Sequence, residues 1–133
     1  MGGIQKMPKV KQERTGWRDE GLSLRHRQWG FDCPMTDIDF LALEYDTGKA
    51  KAIVEYKNEH AQLQYPSHPS YRALIDLGNR AELPVFACRY SDDFSKYKVT
   101  ALNFHASKFC PVPAELTERE WVSMLYKIRD REI

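Results

Sequence analysis

The 133-residue chain lacks several features that would place it in a familiar class. No stretch approaches the roughly 18–20 consecutive apolar residues that a membrane-spanning helix needs. The N-terminal stretch MGGIQKMPKVKQER has no apolar core of the kind that a secretory signal carries. The three cysteines include no C-x-x-C pair, and the four histidines show no spacing typical of metal ligands. We therefore expect a cytoplasmic protein without membrane contact, disulfides or a zinc knuckle.

The charge of the chain is nearly balanced overall but unevenly distributed. The net charge is +1, yet residues 1–30 hold seven Lys/Arg and three Asp/Glu, whereas residues 31–60 hold three and seven. Basic segments can bind phosphate backbones and acidic clusters can hold cations, although solvated surfaces also produce such asymmetry. Residues 1–15 are polar and aperiodic, which predicts a flexible basic arm before a single domain over residues 16–133.

Apolar periodicity and turn residues predict an alternation of helices and strands. Helices are expected over residues 17–30, 70–83 and 117–132, and strands over 38–45, 50–57, 83–90 and 97–104. The last helix begins with Thr117 and Glu120 at the spacing of a capping box. This order predicts an α/β (α+β) fold, in which a mixed central sheet is flanked by helices and followed by an additional C-terminal helix.

The predicted hairpin DIDFLALEYDTGKAKAIVEYKNE, residues 37–59, carries charge on strands that are otherwise apolar. The turn fits a three-residue loop, residues 46–48, with Gly48 in the left-handed conformation. Tyr45 would then pair with Lys49, and this pairing sets the register of the whole hairpin. A four-residue loop would shift the register by one residue.

In this register an acid and a lysine of the second strand face two acids of the first. Glu55 lies opposite Asp39, and Lys57 lies opposite Asp37. Side chains alternate along a strand, so all four share one face of the sheet. Two facing carboxylates repel each other unless a proton or a cation lies between them. Mg²⁺ binds through a few carboxylate oxygens, the backbone carbonyl of Tyr56 could add a ligand, and a neighbouring lysine can orient a bound water.

A surface ladder of salt bridges is the alternative interpretation of the same charges. Asp37 would pair with Lys57, and Glu55 would pair with Lys49 or Lys51. Charged strand faces are common on solvated sheets, and a small α/β interaction protein would then need no metal.

Over about residues 17–90 the chain resembles the PD-(D/E)XK nuclease superfamily. The features that carry the resemblance are the acid of the first strand, the tripeptide Glu55-Tyr56-Lys57 of the second and the flanking helices. The resemblance implies a restriction-endonuclease-like core of αβββαβ order, with the active site on the hairpin. It also implies that Asp39 and Glu55 hold Mg²⁺, for which Mn²⁺ could substitute. Lys57 would position the attacking water.

Two details of the resemblance leave alternatives open. Many members of the superfamily use a glutamate on the first helix, for which Glu20 is the candidate, although acids are common in the first turn of ordinary helices. The Pro-Asp dipeptide is absent, because Asp37 follows Thr36. Asp37 is therefore an alternate ligand to Asp39.

The expected function is that of a compact, phage-type or Holliday-junction-resolvase-like DNA endonuclease. No separate recognition domain fits in the chain, so cleavage should be structure-selective or weakly sequence-specific. A homodimer would supply the two sites that two symmetric nicks require, and a monomeric nickase is the alternative. A non-catalytic module that binds nucleic acid or protein could also retain this fold. The residues expected to contact DNA phosphates are Lys11, Arg14, Arg18, Arg25 and Arg27.

Overall fold

The computed structural model describes residues 20–29, 38, 40–61 and 67–129. The chain divides into two units, Met1–Thr36 and Asp37–Ile133. The described part of the first unit contains helix α1 (Glu20–Gln28), which confirms a helix within the predicted range. The predicted boundary after residue 15 lies outside the described residues.

The described part of the second unit contains one mixed five-stranded sheet in the order β1-β2-β3-β4-β5. Strand β2 is antiparallel to β1 and parallel to β3, and the remaining neighbours are antiparallel. The strands are β1 (Phe40–Glu44), β2 (Lys49–Asn58), β3 (Val85–Tyr90), β4 (Tyr97–Ala101) and β5 (Ala114–Leu116). The helices are α2 (Pro69–Ala81), α3 (Phe104–Ser107) and α4 (Glu118–Ile128).

This architecture confirms a mixed α/β fold whose central sheet is flanked by helices. The restriction-endonuclease-like core itself remains a prediction. Two described strands precede α2, whereas an αβββαβ core has three strands before its second helix, and residues 30–37 are outside the described part. The short elements β5 and α3 were not expected from the sequence.

The hairpin loop differs from the predicted one. Glu44 pairs with Lys49, so four residues rather than three connect the strands, and Gly48 has a φ of 70° as expected. An irregularity between Ala42 and Leu43 then restores the predicted pairing farther from the loop. Leu41 lies opposite Ile53, as the three-residue loop would have placed it. The prediction was therefore wrong at the turn and right for residues 40–42.

The two faces of the sheet bury different parts of the core. On one face, Phe86 of β3 packs against Trp121 of α4, with the rings 6.2 Å apart and nearly perpendicular. On the other face, Ile53 and Val85 pack against Leu74 of α2. Alternation along β2 and β3 therefore gives each helix its own set of apolar contacts.

Both long helices of the second unit have well-defined ends. Helix α2 begins with Pro69 at its first position, where a missing N–H costs nothing. In α4, the Thr117 hydroxyl accepts a hydrogen bond from the Glu120 amide at 3.2 Å, and the Glu120 carboxylate accepts one from the Thr117 amide at 2.8 Å. This pair confirms the predicted capping box. Among the described helices, none is long and apolar enough to cross a membrane.

Candidate active site on strand β2

Strand β2 places Glu55 and Lys57 on the same face of the sheet. Ile53 belongs to the α2 side of the core, and side chains alternate along a strand. Glu55 and Lys57 are two and four residues beyond Ile53, so they share its face. The Lys57 ammonium lies 3.6 Å from a carboxylate oxygen of Glu55, which confirms that the two groups are neighbours.

The pair lies near the carboxyl ends of two parallel strands, β2 and β3. Ile53 pairs with Val85, and farther along the strands Glu55 pairs with Ala87 and Lys57 pairs with Arg89. The side chain of Glu55 is only 12% exposed, and that of Lys57 is 33% exposed. On an ordinary solvent-exposed face of a sheet both charged groups would be exposed. A carboxylate that is largely shielded from solvent beside a partly exposed ammonium is therefore unusual.

The facing of Glu55 with Asp39 remains a prediction, because residue 39 lies outside the described part of the chain. The described register supports its basis, since Phe40 pairs with Val54 directly next to the expected pair. Asp37 also lies outside the described residues. The choice between the two aspartates as metal ligand is therefore open.

The other residues predicted for the site are described only in part. Glu20 is the first residue of α1, but its side chain lies outside the described part, as does that of Arg27. Arg25 is exposed on α1. Lys11, Arg14 and Arg18 lie in the undescribed N-terminal region, so their predicted phosphate contacts remain predictions.

Tyr56 points its side chain to the opposite face, where it belongs to the α4 side of the core. Its hydroxyl accepts a hydrogen bond from the indole N–H of Trp121 at 2.9 Å. Burial raises the pKa of Tyr56 to about 12, and the hydrogen bond from Trp121 opposes part of that rise. Anchoring Tyr56 on one face holds Glu55 and Lys57 in place on the other.

Two basic residues that were not expected at the site lie in register with Lys57. The parallel pairing of β2 with β3 brings Arg89 beside Lys57, and the antiparallel pairing of β3 with β4 brings Lys98 beside Arg89. Tyr97 and Val99, which flank Lys98, belong to the α4 side, so Lys98 projects from the face of Glu55. Sequence spacing could not reveal this row, because Lys57 and Arg89 become neighbours only through the parallel pairing of β2 with β3, which are separated by α2.

Arg89 also organises the segment that follows β2. Its guanidinium donates hydrogen bonds to the backbone carbonyls of Glu59, at 3.0 Å, and Ala61. These bonds hold residues 59–61 against the end of β3. The same arginine therefore borders the site and fixes the path of the chain that leaves it.

A second group of potential metal ligands lies beyond the ends of β2 and β3. One ligand atom from each of Glu59, His60 and Asp92 lies within 4.8 Å of the others, and all three residues are exposed. Asp92 accepts hydrogen bonds from the Asn58 amide and the His60 ring, and these bonds lower its pKa. The backbone N–H of Asp92 donates to Glu59 at 2.9 Å. These internal bonds account for the grouping without an ion.

Comparisons of this chain with protein-family models, curated proteins and solved structures found no match. The geometry of the described residues is therefore what bears on function.

Proposed function

We propose that this protein is a metal-dependent DNA endonuclease with its active site on strand β2. The observation that carries the proposal is the adjacent pair of Glu55 and Lys57. They occupy one face at the carboxyl ends of two parallel strands, and the acid is largely shielded from solvent. Ligand sites in open α/β sheets often form at the carboxyl ends of parallel strands.

The donor set suits a hard divalent cation. Glu55 offers a carboxylate, and the predicted register adds Asp39 as a second one and the Tyr56 carbonyl as a third oxygen ligand. Mg²⁺ typically binds through one or two protein carboxylates and retains several waters, and Mn²⁺ tolerates the same ligands. When bound, the ion would lower the pKa of a coordinated water and neutralise charge on the phosphodiester.

The basic side chains of Lys57, Arg89 and Lys98 would have two separate roles in hydrolysis. Lys57, 3.6 Å from Glu55, would donate a hydrogen bond that orients the attacking water beside the carboxylate. Arg89 and Lys98 extend positive charge from Lys57 across the neighbouring strands. A phosphate backbone laid across this row would meet cations that contribute affinity without reading sequence. This arrangement supports cleavage with weak sequence preference.

The proposal is tested by incubating the protein with supercoiled, linear and branched DNA in Mg²⁺, Mn²⁺ or EDTA. We expect cleavage only with a divalent cation. Glu55→Gln and Lys57→Met should each lower the rate about a hundredfold, the equivalent of roughly 3 kcal/mol of transition-state stabilisation. Glu55→Gln keeps the length of the side chain and Lys57→Met keeps most of its apolar stem, so the fold should survive, and circular dichroism would verify it.

Two matched control variants test whether a loss of cleavage is specific to the site or follows from the loss of any charged side chain. Lys49→Met removes a lysine from the exposed start of the same strand. Asp76→Asn removes a carboxylate from α2 that pairs with Arg80 at the surface. Both controls should cleave at the wild-type rate. Absence of cleavage on every DNA form with either metal would refute the proposal and favour a salt bridge within a non-catalytic binding module.

A further inference from the structure

The face of the sheet opposite Glu55 contains a groove that is lined mainly by aromatic side chains, together with Glu118, Val122 and Leu125. Its volume is about 440 Å³, which is within the range of small-molecule sites. Strands β1 to β4, the turn after β3 and helix α4 all contribute to it. The aromatic residues that line it are Phe40, Tyr56, Tyr90, Phe94, Tyr97 and Trp121.

The rings form a floor and two walls. Trp121 and Tyr97 are buried and form the floor. Phe94 stacks on Tyr90 with the ring centres 5.6 Å apart and the planes within 10°, and half of the Phe94 side chain remains exposed. Phe40 meets Tyr56 edge-on at 5.0 Å on the other side. Several electron-rich ring faces therefore border one space.

One negative charge completes the groove. Glu118, the first residue of α4, lines it together with the buried Tyr97. Among the described residues, no Lys, Arg or His lines the groove or lies within salt-bridge distance of this carboxylate. Within the part of the chain that the structure describes, the groove thus has a carboxylate and aromatic side chains but no cation.

We infer that this groove binds a small organic cation with an alkylated ammonium head. Aromatic faces attract such cations through their quadrupoles, and alkylated ammonium groups are bound in this way because their desolvation costs little. A single carboxylate matches a single positive charge. A volume of about 440 Å³ is that of a site for a small molecule. This site lies on the face opposite the proposed nuclease centre and does not depend on it.

The test uses choline as the probe and 3,3-dimethylbutan-1-ol as its neutral counterpart of the same shape. Nitrogen–proton correlation spectra of the labelled full chain would report binding residue by residue. Choline should produce saturable shifts confined to the groove, with an affinity at least about tenfold higher than that of the alcohol. Equal binding of the two compounds would show an apolar groove and overturn the inference, as would the absence of saturable shifts with choline.

Two variants and one control locate the interaction. Glu118→Gln should weaken choline binding about three- to tenfold and leave the alcohol unaffected. Phe94→Asn should weaken it by a similar factor, and Asn tolerates the left-handed backbone of position 94, where φ is 61°. Glu115→Gln removes an exposed acid on β5 outside the groove and should change nothing. Unaltered choline binding in both Glu118→Gln and Phe94→Asn would overturn the assignment.

Discussion

Replacing Trp121 by phenylalanine, alone and together with Tyr56→Phe, tests the hydrogen bond that anchors the middle of the candidate active site. The indole N–H of Trp121 donates to the Tyr56 hydroxyl at 2.9 Å, and Trp121 is 2% exposed. Phenylalanine keeps an aromatic ring in the core but removes the donor and part of the buried volume. Tyr56 would then keep a partly buried hydroxyl without its described donor.

The magnitude follows from two contributions. Loss of the hydrogen bond costs about 1 kcal/mol. The cavity left by the smaller ring costs a further 1–2 kcal/mol or so, because a packed core relaxes only partly. Trp121→Phe should therefore lower the free energy of unfolding by roughly 2–3 kcal/mol, and Tyr56→Phe by about 1 kcal/mol. The double variant should be about 1 kcal/mol more stable than the sum predicts, because the shared bond is lost only once.

Urea denaturation followed by far-ultraviolet circular dichroism measures these free energies without depending on tryptophan fluorescence. Tyr126→Phe is a suitable control, because it removes a hydroxyl from the same helix α4 that has no described hydrogen bond. It should change stability by less than about 0.5 kcal/mol. Additive effects of Trp121→Phe and Tyr56→Phe, with no coupling, would refute the role assigned to this bond.

Further predictions concern DNA binding, packing, helix capping and pH. Lys98→Met should weaken DNA binding on every sequence and lower the slope of log affinity against log salt by about one, as measured by fluorescence anisotropy. Gly78→Ala should destabilise the fold by about 1–3 kcal/mol in urea, because its Cβ would lie 2.2 Å from a valine methyl of β3; a gain of about 1 kcal/mol, as at an exposed helix position, would contradict this. Thr117→Ala should cost about 1 kcal/mol in the same assay, because it removes the acceptor of the capping box. Hydrogen bonds from Ser95 above all lower the pKa of Asp93 from 3.8 to about 2. The stabilisation from this ionised carboxylate is complete above about pH 4 and is lost as the pH falls toward 2. Between these pH values the free energy of unfolding should therefore fall less steeply in Asp93→Asn than in the wild-type chain.

Local patterns predicted the elements that carry their own turn or cap residues. The capping box at Thr117 and the left-handed Gly48 were both readable, because each depends on a few neighbouring residues. The length of the hairpin loop could not be predicted, because no residue type in the sequence indicates the irregularity next to Ala42. The predicted register was correct beyond that irregularity because the extra residue compensates for the longer loop.

The candidate site was only partly predictable for a related reason. Glu55 and Lys57 could be placed on one face from alternation along a single strand. Arg89 and Lys98 could not be added, since their proximity to Lys57 depends on the order and direction of β2 and β3, which α2 connects. The aromatic groove was likewise hidden, because residues from four strands and a helix line it.

Calorimetric titration with Mn²⁺ tests the location of the metal centre most directly. It compares the wild-type chain with Glu55→Gln and with Asp92→Asn, a variant of the exposed group beyond the strand ends. We predict a specific Mn²⁺ site that is lost in Glu55→Gln and retained in Asp92→Asn. Unchanged Mn²⁺ binding in Glu55→Gln, or its loss only in Asp92→Asn, would contradict an active site on β2.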